Sequence, residues 1–116
     1  MTQAFVYITD TMEFLHCYED APNEVAYLRS LHRHLAHYKV SIEVFSDDRE
    51  IEFIILKHKI KDYMVNLHTD RNCSCEALAR MLLSFIQSTY GKDRDIKIEV
   101  NEDNENGVEL VYRKEN

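Results

Sequence analysis

Residues that interrupt regular structure are scarce in this chain. Its 116 residues include two Gly and one Pro, and no repeat or low-complexity segment is present. Few internal breaks are therefore expected. A chain of this length buries enough apolar surface for one modest core, so we expect a single domain over residues 1–116.

Long apolar runs are absent as well. No apolar stretch approaches the roughly 20 residues that a helix needs to cross a bilayer, which excludes a membrane-spanning helix. The first ten residues, MTQAFVYITD, have neither a basic start nor a long apolar segment, so we expect no signal peptide. Apolar residues make up 45% of the chain, a proportion typical of globular proteins that argues against disorder.

Positive charge is in deficit. Lys and Arg number 14 and Asp and Glu number 21, which gives a formal net charge of −7. Proteins that bind nucleic acids or anionic membranes need a basic surface, so we expect neither kind of partner. A local exception is the basic cluster of Lys57, Lys59 and Lys61 around His58.

Cysteine is limited to Cys17, Cys73 and Cys75. An odd number of thiols cannot pair completely, and without a signal peptide the thiols are expected to be reduced, as in a cytoplasmic protein. Cys73 and Cys75 stand at a predicted helix start. There we expect small, partly buried residues rather than a pair of metal ligands, although a helix start can lower the pKa of a thiol.

Alternation and helical spacing define four strands and two helices. In HYKVSIEVF, the clearest strand, Val40 and Ile42 share one face and Lys39 lies on the other. Apolar residues spaced by three and four over 53–67 and 78–86 indicate two amphipathic helices. The predicted order is β-β-α-α-β-β. The simplest arrangement is an α+β fold, with a four-stranded antiparallel sheet and both helices on one face.

Three of the six histidines lie in LHRHLAHYKV, where this strand begins. His32 and His34 are two residues apart, so on a strand both rings leave the same face and can bind one ion. His16 ends the first strand and is the natural third ligand, because sequential strands are usually neighbours. A fourth position would stay open for water or substrate. Spacing alone also fits exposed histidines without a metal, and His37 has the opposite parity to His34.

Five further stretches follow one another along the chain: MEFLH ending at His16, SLHRH with His32 and His34, IEFIILK with Phe53 and Lys57, NCSCEALA with Glu76, and VNEDNENG with Glu102. In this order they resemble the family of 6-pyruvoyltetrahydropterin and 6-carboxytetrahydropterin synthases, the T-fold pterin enzymes. The resemblance covers nearly the whole chain. It implies a T-fold, with the same β-β-α-α-β-β order that the residue patterns predict.

The resemblance also implies a ligand set. Zinc would be held by His16, His32 and His34, and Glu102 would anchor a pterin ring. A carboxylate accepts two parallel hydrogen bonds from the ring nitrogen and exocyclic amine of a pterin, and guanine presents the same edge. Family members form rings through their sheet edges, with ligand sites between subunits, so a homo-oligomer is expected.

Parts of the family's catalytic machinery are missing. Leu28 stands where the family has a general-base cysteine, and the expected aspartate–histidine pair is replaced by His68 and Asp70 in reversed order. Candidates for a substitute group are Tyr27, Cys17 and His68. Positioned acids and bases contribute ~10²–10⁴-fold to rate, so a chain without them is expected to be a poor synthase.

Three functions stay open. The first is a divergent zinc protein that binds a pterin- or guanine-like ring as a carrier, sensor or scavenger, without the standard synthase activity. The second is an active pterin-type lyase with a relocated acid–base group. The third is an oligomeric structural or interaction protein that has kept only the fold. The histidine pattern favours a metal site more strongly than the remaining residues favour an enzyme, so the first is preferred.

Overall fold

A computed structural model describes residues 1–67 and 73–115. The elements in chain order are β1 (Ala4–His16), a 3-10 helix (Asn23–Arg29), β2 (His32–Val44), α1 (Phe53–Val65), α2 (Cys75–Tyr90), β3 (Ile96–Glu102) and β4 (Asn106–Tyr112). The predicted α+β class is confirmed. The 3-10 helix is an addition to the predicted order β-β-α-α-β-β.

The sheet is antiparallel, and its strands lie in chain order, β1-β2-β3-β4. β1 and β2 pair along their full length, from Ala4 opposite Val44 to His16 opposite His32. β3 pairs only with residues 36–42 of β2. The β1–β2 hairpin therefore extends beyond the rest of the sheet at the end where His16 and His32 lie.

Both helices cover one face of the sheet. Where β2 and β3 pair, the even-numbered residues over 36–42 and 96–100, such as Val40 and Ile98, are buried on that face. The helices contribute the buried residues Leu56, Ile60, Met64, Leu78, Ala79, Leu82 and Ile86. All of these join a single apolar cluster, whose burial is the main stabilising contribution. By strand parity, His32 and His34 share this face beyond the end of the apolar core.

The start of α2 is fixed by a side-chain cap. The Ser74 hydroxyl accepts a hydrogen bond from the Ala77 N–H at 3.1 Å, which satisfies one of the free donors of the first turn.

On α1 the buried stripe begins only at Leu56, and Phe53, predicted on that stripe, is 55% exposed. Within the described ranges, no helix is long and apolar enough to cross a membrane.

A buried polar cluster ties both chain ends to the far end of the sheet. The Glu43 carboxylate accepts hydrogen bonds from the Gln3 amide at 2.9 Å, the Lys114 ammonium at 2.7 Å and the Asp95 N–H at 2.9 Å. The Gln3 amide also donates to the Asp95 carboxylate at 2.8 Å. The Asp95 N–H, then Lys114 and Gln3, hold the pKa of Glu43 below its ordinary value of 4.5.

Replacing Glu43 by glutamine is expected to destabilise the fold at neutral pH by about 1.5–3 kcal/mol, the range for hydrogen bonds to charged groups. Because the pKa of Glu43 is lower in the folded state, its stabilisation is present above about pH 4.5 and is lost as the pH falls through the folded-state pKa. The difference between wild type and E43Q should therefore narrow in acid.

Urea unfolding at pH 7 and pH 3.5 measures this difference. Glu24→Gln removes the same charge from an exposed position, so it serves as the control and should unfold like wild type. An E43Q variant whose unfolding free energy matches wild type at pH 7 would show that the cluster adds no net stability.

Candidate metal centre

Strand register brings three histidines together at the end of the β1–β2 pair where residues 17–31 connect the two strands. His16 and His32 are directly opposite each other, and His34 follows two residues along β2 on the same face. The ring centroids lie 4.5 Å apart for His16 and His32, 4.8 Å for His32 and His34, and 5.0 Å for His16 and His34. The predicted set of three histidines is therefore a compact cluster.

Each ring is held by its Nδ1 atom. Nδ1 of His16 lies 3.3 Å from the Cys73 carbonyl oxygen. Nδ1 of His32 lies 2.8 Å from the Ser30 carbonyl oxygen, and Nδ1 of His34 lies 2.7 Å from a carboxylate oxygen of Asp103. Carbonyl and carboxylate oxygens only accept, so Nδ1 must donate in all three rings. In a neutral imidazole this leaves the lone pair on Nε2, the arrangement that metal-binding histidines usually have.

The remaining ring nitrogens converge. One ligand atom from each histidine lies within 4.8 Å of the others, so the cluster could hold a metal ion. The Nε2 atoms of His32 and His34 are buried, and no described residue forms a hydrogen bond with them. At Zn–N distances of 2.0–2.1 Å, tetrahedral ligand atoms are about 3.3 Å apart. Small ring shifts would therefore bring the three nitrogens onto one ion, and the donor set fits zinc.

Glu102 lies beside these nitrogens, at the end of β3. One carboxylate oxygen is 3.1 Å from Nε2 of His34, and the other is 3.6 Å from Nε2 of His16. The Cys75 thiol donates to the second oxygen at 3.6 Å. Burial, and then the Glu102 charge, raise the pKa of Cys75 to about 12. Cys75 is therefore a neutral donor at pH 7 and not a thiolate ligand.

A cleft of about 560 Å³ opens next to the histidines. Its lining comes from the ends of β1 and β3 and the starts of α2 and β4. The lining residues are His16, Cys17, Tyr18, Leu28, His32, Cys73, Ser74, Cys75, Glu76, Glu102, Asn106, Gly107 and Val108. Cys17 and Glu102 thus lie on the cleft, and Leu28 gives it an apolar wall.

Among the other candidate substitutes, Tyr27 does not reach this cleft. Tyr27 is 73% exposed and is not part of the lining. His37, already separated from the site by its parity, lies on the opposite face of the sheet from His34. His68 and Asp70 lie outside the described residues.

Two residues that position side chains of the site are not predicted from the sequence: Asp103, which contacts His34, and Cys75, which contacts Glu102. Asp103 accepts from Nδ1 of His34 at 2.7 Å and from the Leu35 N–H at 3.0 Å, and these bonds hold the pKa of Asp103 below its usual value. In the sequence it is one of several acids in a polar turn. Cys75 was missed because nothing in the spacing of NCSCEALA indicates a contact with Glu102.

No family model matches the chain, and no curated protein matches it.

Proposed function

We propose that this chain is a divergent T-fold protein of the pterin-synthase type that holds one zinc ion through His16, His32 and His34. The observation that carries the proposal is the convergence of three imidazoles whose Nδ1 atoms each bond an oxygen. The observed element order supports the T-fold interpretation, because it agrees with the order that the resemblance implies.

The donor set is the reason to propose zinc. Three neutral imidazole nitrogens are the protein ligands of one common type of catalytic zinc site, which keeps a fourth position open. Magnesium and calcium prefer oxygen ligands, so this cluster suits neither. When bound, zinc would supply a positive charge that polarises an oxygen of a small molecule in the cleft.

The proposed ligand is a pterin- or guanine-like heterocycle. The cleft volume of about 560 Å³ lies within the range of small-molecule sites, roughly 300–1,000 Å³. Leu28 and Val108 give the cleft apolar surface for the faces of a ring, and the Glu102 carboxylate can accept from the ring edge.

Standard synthase activity is not part of the proposal, because Leu28 carries no group that can take a proton. A carrier, sensor or scavenger fits these residues better. The alternative is a lyase with a relocated base. Cys17 favours that alternative, since its side chain lies on the same cleft as Leu28 and His16. Tyr27 is a poorer candidate because it lies away from the cleft.

Self-assembly belongs to the same proposal. Within the described ranges, the outer edges of β1 and β4 pair with no other strand, and free edges invite pairing with another chain. The cleft borders β4 at residues 106–108, so a neighbouring subunit added at that edge would lie close to it. The third candidate function is an oligomeric structural or interaction protein, a ring of subunits that has kept only the fold. The thiols of Cys17 and Cys75 are free, which supports the cytoplasmic location that belongs to this proposal.

Titration calorimetry of the zinc-loaded protein with pterin, guanosine and adenosine tests the proposed ligand. Adenosine is the matched control because it lacks the amino-oxo edge that can donate two hydrogen bonds to Glu102. Pterin or guanosine is expected to bind at least about 10-fold more tightly than adenosine, given the strength of charge-assisted hydrogen bonds. Equal binding of all three, or binding of none, would contradict the heterocycle proposal and leave the metal site standing.

A further inference from the structure

We propose that Glu102 is itself a fourth ligand of the metal ion when no small molecule occupies the cleft. This inference rests on the proposed three-histidine metal site. It gives the carboxylate a role besides the ring-anchoring one that the resemblance implies.

The distances around Glu102 are those between two ligands of one ion. Its oxygens lie 3.1 Å from Nε2 of His34 and 3.6 Å from Nε2 of His16. Ligand atoms on a tetrahedral zinc ion, with bonds of 2.0–2.2 Å, are about 3.3 Å apart. One Glu102 oxygen therefore lies at ligand-to-ligand distance from Nε2 of His34, and the other oxygen lies slightly further from Nε2 of His16.

An ordinary ion pair explains this contact less well. Asp103 accepts a hydrogen bond from Nδ1 of His34, so a neutral ring would present its lone pair at Nε2. A lone pair and a carboxylate oxygen 3.1 Å apart repel each other unless a cation or a proton lies between them. A proton on Nε2 would not satisfy the contact, because the pair lacks hydrogen-bond geometry despite its short distance. A shared metal ion satisfies both acceptors.

Cys75 helps to place the carboxylate. Its thiol donates to the Glu102 oxygen nearer His16, at 3.6 Å, which leaves the oxygen nearer His34 available to an ion. Cys75 occupies the first turn of α2, directly after the Ser74 cap, so the donor is held by a defined helix start.

A ring edge that donates to both carboxylate oxygens would compete with the ion and with the Cys75 thiol for their lone pairs. Binding of a heterocycle to Glu102 would therefore weaken its bond to the ion and favour an open coordination position beside the ring. Metal coordination and small-molecule binding would be coupled through this one side chain.

Metal titrations of wild type, Glu102→Gln and Glu99→Gln test the inference. Zn²⁺ affinity is measured by competition with a chromophoric chelator, and coordination is measured by the visible absorption of bound Co²⁺. Glu99 is the matched control, because it lies on the same strand with its side chain exposed on the opposite face. E102Q is expected to bind Zn²⁺ about 10–100-fold more weakly and to change the Co²⁺ spectrum. E99Q should match wild type in both measurements.

Three outcomes are distinguishable. Wild-type affinity and spectrum in E102Q would overturn the role of Glu102 and leave the three-histidine site intact. Failure of wild type to bind Zn²⁺ would overturn both the inference and the proposed function. If E102Q does not fold, as judged by circular dichroism, Glu102→Asp replaces it. That variant keeps the charge but shortens the reach, and it should also weaken Zn²⁺ binding, whereas unchanged binding would overturn the inference.

Discussion

Replacing His32 by alanine is expected to abolish stoichiometric zinc binding, with a loss of affinity well above the roughly 10–100-fold that follows loss of a residue that only orients a metal-bound ring. Two imidazoles would remain, and His32 is the central member, since its ring lies within 4.8 Å of both others by centroid distance. The measurement is zinc content after gel filtration, together with the dissociation constant from chelator competition.

His37→Ala is the matched control for this experiment. His37 lies on the same strand, five residues further along, but on the opposite face of the sheet. The change removes the same kind of side chain from outside the cluster, where its charge is the smallest of the influences on Asp103, so H37A should bind zinc like wild type. Equal zinc binding by H32A and H37A would contradict the three-histidine site.

The second large effect concerns turnover. Zinc-loaded wild-type protein is expected to convert dihydroneopterin triphosphate ~10²–10⁴-fold more slowly than a family enzyme that carries the general-base cysteine. The physical reason is the Leu28 side chain, which lines the cleft and cannot hold a proton. The measurement is the rate of product formation followed by chromatography, under saturating substrate and with zinc present.

Cys17→Ala decides what any residual turnover means. If wild type turns over at a rate comparable to the family and C17A loses that activity, Cys17 is the relocated base and the lyase alternative replaces the carrier or sensor proposal. Tyr27→Phe is the control, because Tyr27 is exposed and lies away from the cleft. A low rate in wild type that neither change lowers further agrees with the preferred function.

Much of the site could be predicted because strand geometry is simple. A period of two places His32 and His34 on one face, and a hairpin between sequential strands places His16 opposite His32. The same alternation predicts the buried faces of β2 and β3. These inferences need only local periodicity and the pairing of neighbouring strands.

The partners that orient the site could not be predicted in the same way. Asp103 reaches His34 across 69 positions, and Cys75 reaches Glu102 across 27, so both contacts depend on the packed fold. Phe53 fits the helical spacing of α1, yet the buried stripe of that helix begins only at Leu56. Periodicity identifies a helix face but not where along the helix the neighbouring elements begin to cover it.

Zinc content of the purified wild-type protein, measured by elemental analysis and by native mass spectrometry, tests the central claim most directly. The expected result is one zinc ion per chain, retained through gel filtration and removed by a strong chelator. A protein that is purified without metal and takes up none from a stoichiometric Zn²⁺ solution would contradict the three-histidine centre and every function built on it.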